Sequence, residues 1–181
     1  LQHLAVTGNS DQLTLTLTGY KGGNLSNQTN QDRGFVWQRS SAFSSSSLKE
    51  DEGGDNDNDE DNLLMVGVLD GHGTMGHHVS EYAQGELIRQ LGAQLNREDS
   101  VETIKEGIRQ AFLRVDESIP KQSASRGGAT ASIILRKNDT LFVANAGDSQ
   151  SLIAAVSTSS SSSSSNTAGT AADRTSVVLL Y

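Results

Sequence analysis

The chain has no cysteine, a single proline, one tryptophan and no long uninterrupted apolar run. Without cysteine there is neither a disulfide framework nor a thiolate-held zinc site, so an apolar core must carry the fold. A membrane-spanning helix needs roughly 18 consecutive apolar residues. None is present, which predicts a soluble protein with no membrane association, cytoplasmic or nuclear. Basic residues are also scarce, 14 Lys and Arg against 22 Asp and Glu, and aromatics make up only 4% of the chain. Nucleic-acid binding would call for a basic stripe with interleaved aromatics, so that class of partner is excluded.

The net charge of −8 does not describe the whole molecule. Residues 50–61 carry eight acids and no base, which leaves the rest of the chain neutral. Hydrophobic residues are only 34% of the 181, low for one compact domain, and two low-complexity tracts explain the shortfall. One spans 40–62, Ser-rich and then acidic; the other spans 156–173 and is dominated by the serines at 159–165. Neither buries enough apolar surface to offset the entropy of ordering it. The expectation is one domain over 1–181 interrupted by two polar insertions.

Periodicity supplies the elements. Leu13, Leu15 and Leu17 alternate with Thr14, Thr16 and Thr18, the pattern of a half-buried strand. Phe35-Val36-Trp37 begins another strand. Val79, Ala83, Leu87, Leu91 and Leu95, with Tyr82 and Ile88, mark an amphipathic helix starting near Gly76. Ile104, Ile108, Ala111, Phe112, Val115 and Ile119 mark a second helix, ended by Pro120. A short joint at 96–100 sets the two antiparallel. Strands follow at 129–135 and 141–146 around a polar turn, and a last one at 177–181. The class is α/β, with five or six strands and one helix pair.

The chemistry concentrates in Val66-Gly67-Val68-Leu69-Asp70-Gly71-His72-Gly73. An apolar strand delivers an acid, two glycines and a histidine to its carboxyl end. Tight turning at glycine leaves a carbonyl free to approach a cation beside the Asp70 carboxylate. Oxygen ligands suit Mg²⁺ or Mn²⁺ better than zinc. His72, set one residue out of register from Asp70, suits a proton donor better than a ligand.

Three competing motifs fail. Asp55-x-Asp57-x-Asp59 opens like a calcium loop, but its sixth position is Glu60 where Gly is needed and its twelfth is Val66 where Glu is needed. His72, His77 and His78 lack the spacing and the thiolates of a zinc site. Ser149, in Gly147-Asp148-Ser149, has no third triad member in view.

Three more blocks stand around the Asp70 segment: Asn30-Gln31-Asp32-Arg33-Gly34-Phe35-Val36-Trp37 before it, then Arg126-Gly127-Gly128-Ala129-Thr130-Ala131 and Leu141-Phe142-Val143-Ala144-Asn145-Ala146-Gly147-Asp148-Ser149 after it. In this order, over about 19–153, they resemble the metal-dependent protein serine/threonine phosphatases known as protein phosphatase 2C. The resemblance implies an α/β layered sandwich, two β-sheets flanked by antiparallel helix pairs. It implies two Mg²⁺ or Mn²⁺ ions, with a third in some members, and phosphoserine or phosphothreonine proteins as substrates. It assigns Asp70 as the bridging ligand, the Gly71 carbonyl as a second, Asp32 as holder of a metal-bound water, Asp148 as ligand of the third ion and His72 as general acid.

Departures from the family pattern are also visible. Gln31 stands where many members carry Glu, and Asn27 occupies the place of the phosphate-binding arginine. Lys21 and Arg33 are the available substitutes. Two later aspartate motifs, D-G-[LIV]-[WFTS] and G-x-x-D-N, do not occur. The expectation is therefore an incomplete catalytic domain, its amino-terminal half, itself inactive. The rival expectation is an inactive pseudophosphatase serving as an interaction module.

Overall fold

In the computed structural model, residues 4–7, 14–17, 28–39, 63–96, 98–154 and 176–180 are described. Their elements run β1 (Leu4–Thr7), β2 (Thr14–Leu17), β3 (Arg33–Arg39), β4 (Leu63–Leu69), β5 (Gly71–Gly73), α1 (Gly76–Gln94), α2 (Val101–Ser118), α3 (Lys121–Ala124), β6 (Gly127–Ala129), β7 (Ala131–Lys137), β8 (Thr140–Ala146) and β9 (Ser176–Leu180). The expected insertions at 40–62 and 156–173 lie outside the described residues.

One mixed sheet organises the fold, in the order β3-β4-β7-β8-β9, antiparallel except for the parallel pair β8 and β9. Alternation along each strand separates two faces. Leu63, Met65 and Leu69 of β4, Ile133 and Leu135 of β7, and Phe142 and Ala144 of β8 join one buried core with Leu87 and Leu91 of α1 and Ile104, Ile108 and Ala111 of α2. Gly67 lies in this face because the Phe35 ring fills the space a side chain would take. Helices thus cover one side of a mostly antiparallel sheet, the α+β form of a layered α/β architecture.

The other face carries Val66 and Val68, both exposed, and the β1-β2 hairpin lies over its β3 end. Here the alternation at 13–18 has an unexpected outcome. Thr14 and Thr16 turn to the sheet: the Thr14 methyl would stand 2.7 Å from a Cβ placed on Gly34. Leu17 is 48% exposed. The Thr16 hydroxyl accounts for its own inward turn, since Thr16 Oγ1 accepts from Asn30 Nδ2 at 2.9 Å and donates to the Asp32 carbonyl at 3.3 Å, whereas Thr14 Oγ1 is buried without a hydrogen-bond partner among the described residues.

Both helices match the apolar stride. α2 starts at a Ser100 cap whose side chain accepts from Thr103 N–H at 3.2 Å, with Glu102 in its first turn favouring the positive end of the helix dipole. α1 has no basic residue in its last turn, and the sheet supplies the missing charge. Arg39 of β3 donates to the carbonyls of Gly92 (3.1 Å) and Leu95 (2.8 Å). Lys137, buried at the end of β7, donates to the carbonyls of Asn96 (2.8 Å) and Asp99 (3.1 Å). Two cations from the sheet thereby fasten the α1 carboxyl end and the joint to α2.

The described strands number nine, more than the five or six expected. The additional ones are β1, which has no alternation to announce it, and the three-residue β5 and β6, too short and glycine-rich to show a period. The last strand begins one residue earlier than expected, at Ser176. Replacing Lys137 by Met should keep the buried stem but remove two charge-assisted bonds, costing about 1.5–3 kcal/mol. Chemical denaturation of K137M checks this loss, with the sheet-to-joint bond as its cause.

Candidate active site

The central strands end in one row. Arg33 pairs with Leu69, so one residue further out Asp32 stands opposite Asp70. On the other side, Thr130 N–H donates to the Asp70 carbonyl at 2.9 Å. Ala131 pairs with Ala146, which sets Thr130 opposite Gly147. Asp32, Asp70, Thr130 and Gly147 therefore cross four strands in register, with Asp148 next to the last. Cross-strand partners share a face, and alternation puts Asp32 and Asp70 on the face away from the helices.

The Asp-Gly-His-Gly segment is not a tight turn. β5 is extended and pairs with β6 as Gly71 with Ala129, His72 with Gly128 and Gly73 with Gly127. This is the β4-β7 register carried on without a slip. The positive φ comes only at Gly73, 79°. His72 is thus two residues along an extended strand from Asp70, on the same side of the ladder, rather than out of register with it. Its Nε2 lies 2.7 Å from where a Gly128 Cβ would stand, so the exposed imidazole rests on that glycine.

Gly71 is required by close approach. A Cβ there would meet the Gln31 carbonyl at 2.5 Å and the Gly76 carbonyl at 2.6 Å, both backbone. Hydrogen-bonded pairs alternate along an antiparallel ladder; with Asp70 and Thr130 bonded, Gly71 and Ala129 exchange no bonds, and the Gly71 carbonyl is directed away from β6.

Gln31 straps these pieces together. Its Nε2 donates to the Gly73 carbonyl at 2.7 Å, and its own carbonyl accepts from Ser80 Oγ of α1 at 2.6 Å. A carboxylate at 31 has no proton for the first bond.

The loop after β8 returns over β7. Gly147 has φ of 87° and lies against Thr130, whose methyl would be 2.9 Å from a Gly147 Cβ. Thr130 Oγ1 and Ser149 Oγ are 2.6 Å apart, so the Ser149 hydroxyl is engaged by a threonine, not by His72. Thr130 Oγ1 also accepts from Asp70 N–H at 3.3 Å. Asn145 Oδ1 accepts from Ser132 Oγ at 2.7 Å and from Ser151 Oγ at 3.1 Å. Thr130 is not marked by sequence pattern, its only signal being its place inside a block flanking Asp70, and Gln31 is marked only as a departure from the Glu of many family members.

The remaining candidates stand apart from this row. Arg33 donates from Nη1 to the carbonyls of Asn30 (3.1 Å) and Asp32 (2.8 Å) and pairs by Nη2 with Glu81 of α1 at 3.5 Å; its guanidinium is on the helix side of β3. Lys21 lies outside the described residues. Among the described residues no three His, Asp or Glu side chains are grouped so as to hold an ion by themselves.

His77 and His78 sit in the first turn of α1, ring centroids 4.0 Å apart. Burial holds the His77 imidazole below its usual pKa, the neighbouring His78 and Arg33 add to the shift, and Glu81 opposes it. A histidine with a depressed folded pKa favours the folded state when neutral. Its contribution is present above about pH 6.5 and is lost as pH falls through the folded value. The melting temperature should therefore drop on acidification below about pH 6.5, and His77→Gln should reduce that drop, with the imidazole titration followed by NMR.

The model of the family described as protein phosphatase 2C matches residues 33–168. Similar curated proteins include a probable protein phosphatase 2C 4 of Paramecium tetraurelia, 32% identical over 108 residues, covering 52% of this chain and 35% of that protein. A protein phosphatase 2C homolog 2 of Hypocrea jecorina is 36% identical over 98 residues, covering 51% and 21%. The integrin-linked kinase-associated serine/threonine phosphatase 2C of Bos taurus is 32% identical over 94 residues, covering 48% and 25%. The matches span about a third or less of these relatives' length. With three quarters of its residues inside the family match and the strand-end acids in one row, the chain belongs to the protein phosphatase 2C family.

Proposed function

We propose that the chain forms part of a metal-dependent phosphatase site acting on phosphoserine and phosphothreonine in proteins. The observation that carries this reading is the cross-strand row of Asp32 and Asp70 at the end of the sheet, beside a Gly71 carbonyl directed away from its ladder. The donors are all oxygens, which fits a hard divalent ion. Mg²⁺ commonly takes one or two carboxylates and completes its shell with water, so this donor set is sufficient in kind.

Asp70 would bridge two ions, Gly71 would ligate one through its carbonyl, Asp32 would orient a bound water and Asp148 would serve a third, weaker position. Bound Mg²⁺ or Mn²⁺ would supply an acidified water and offset phosphate charge. His72, exposed and on the Asp70 side of the ladder, would serve as the general acid toward the leaving serine or threonine oxygen. Arg33 and Lys21 remain the candidates for the phosphate oxygens. For Arg33 this requires release from Glu81 and from the Asn30 and Asp32 carbonyls, and passage from the helix side of β3 to the face of the acids.

One observation favours a second reading. Gln31 is neutral and spends its amide on the Gly73 carbonyl, so it adds no charge to an ion site, as suits a fold kept for interaction without turnover.

A phosphoserine peptide assay separates the two. A protein in which this chain is extended to include the two later aspartate motifs should release phosphate with Mn²⁺ or Mg²⁺ and stop in excess chelator, whereas residues 1–181 alone should not turn over. Asp70→Asn should remove most turnover, and His72→Gln should lower kcat by about 10²-fold or more. Turnover undiminished by chelator contradicts the metal reading; Mn²⁺ binding without turnover in the extended protein supports the interaction module.

A further inference from the structure

Thr130 is 7% exposed, and its N–H and its hydroxyl reach the strand ends that carry the acids. Its N–H donates to the Asp70 carbonyl at 2.9 Å. Its Oγ1 accepts the Asp70 N–H at 3.3 Å and lies 2.6 Å from Ser149 Oγ. Each hydroxyl has one proton and two lone pairs. The Asp70 N–H takes a lone pair of Thr130 Oγ1, and a buried hydroxyl proton needs an acceptor. Among the described residues the partner within reach is Ser149 Oγ, and either hydroxyl can donate across the 2.6 Å gap.

Ser149 follows Asp148 directly, and the loop that bears both is shaped to reach Thr130. Gly147 adopts φ of 87°, which a side chain would strain, and lies against the Thr130 methyl. Asn145 Oδ1 fixes the far side of the same loop through Ser151 Oγ at 3.1 Å. Asp70 lies at the end of β4 and Asp148 in a loop after β8, two strands away across β7. Beyond the β4-β7-β8 ladder and the Ser132–Asn145–Ser151 bonds further in, no other described hydrogen bond joins the two segments.

We propose that Thr130 and Ser149 form a hydroxyl bridge that positions Asp70 relative to Asp148, making one oxygen-lined site out of two separate strand ends. Both are positioning residues, acting through the acids. The proposal rests on reading Asp70 as an ion ligand and adds to it the device that sets the spacing. Groups that hold and orient ligand residues typically change metal affinity about 10–100-fold when removed.

Thr130→Val keeps the shape and removes the hydroxyl; Thr130→Ser keeps the hydroxyl. In the metal-free protein, Thr130→Val should speed hydrogen exchange of the Asp70 amide and shift the Asp148 and Ser149 amide resonances, while Thr130→Ser restores both. Calorimetric titration with Mn²⁺ should then show about 10–100-fold weaker binding for Thr130→Val and Ser149→Ala and near-normal binding for Thr130→Ser. A melting temperature close to that of the parent protein in each variant separates positioning from unfolding. Unchanged exchange and shifts in Thr130→Val would overturn the bridge, whatever the metal does. Altered exchange with equal Mn²⁺ affinity in all variants would overturn its role in positioning. A parent protein that binds no Mn²⁺ would overturn the ion reading of Asp70 and, with it, the purpose assigned to the bridge.

Discussion

The pairing that sets Leu63 against Lys137 continues without a slip through Asp70 opposite Thr130 to Gly73 opposite Gly127. A shift by one residue would turn every side chain of the strand to the other face, so this register decides at once which residues are core and which are chemical. Leu63, Met65 and Leu69 meet the helices because they are odd-numbered in this frame. Asp70 and His72 stand on the opposite side because they are even. The core therefore enforces the placement of the site: Asp70 cannot turn inward without expelling Leu69, one of the most deeply buried side chains.

Glycine permits this ladder to run into a crowded corner. Gly71 passes between the Gln31 and Gly76 carbonyls, and Gly127 lies within 2.7 Å, at its absent Cβ, of the Gly76 nitrogen and the His72 carbonyl. Backbone-to-backbone approach at this density admits no side chain. It brings the start of α1, the start of β3 and the β5-β6 extension to one place. The Gln31 amide and the Ser80 hydroxyl then fix their spacing. The same crowding explains why a neutral residue is accommodated at 31, where the donated proton has a structural use.

Much of this could be read from sequence, for identifiable reasons. Both long helices, the joint between them and the β7-β8 hairpin follow from apolar periods long enough to exclude chance. Asp70, His72 and Asp148 stood out because acids and histidine at the end of apolar runs are chemically conspicuous. What escaped notice depends on three-dimensional neighbours. The extended form of residues 71–73 is imposed by β6, more than fifty residues later, whereas glycine taken locally suggests a turn. The inward face of β2 is set by Asn30 bonding to Thr16, although its leucines look like the buried side. Arg33 looked available for phosphate, yet the strand parity that exposes Asp32 turns Arg33 toward Glu81.

The placement of Asp70 by its ladder leads to one directly observable consequence. Crystals of the protein soaked in Mn²⁺ and measured at the manganese absorption edge should give an anomalous peak within ligand distance of the Asp70 carboxylate and the Gly71 carbonyl. A peak held instead by His77 and His78, or by acids elsewhere on the surface with none at Asp70, would contradict the assignment of this strand end as the ion site.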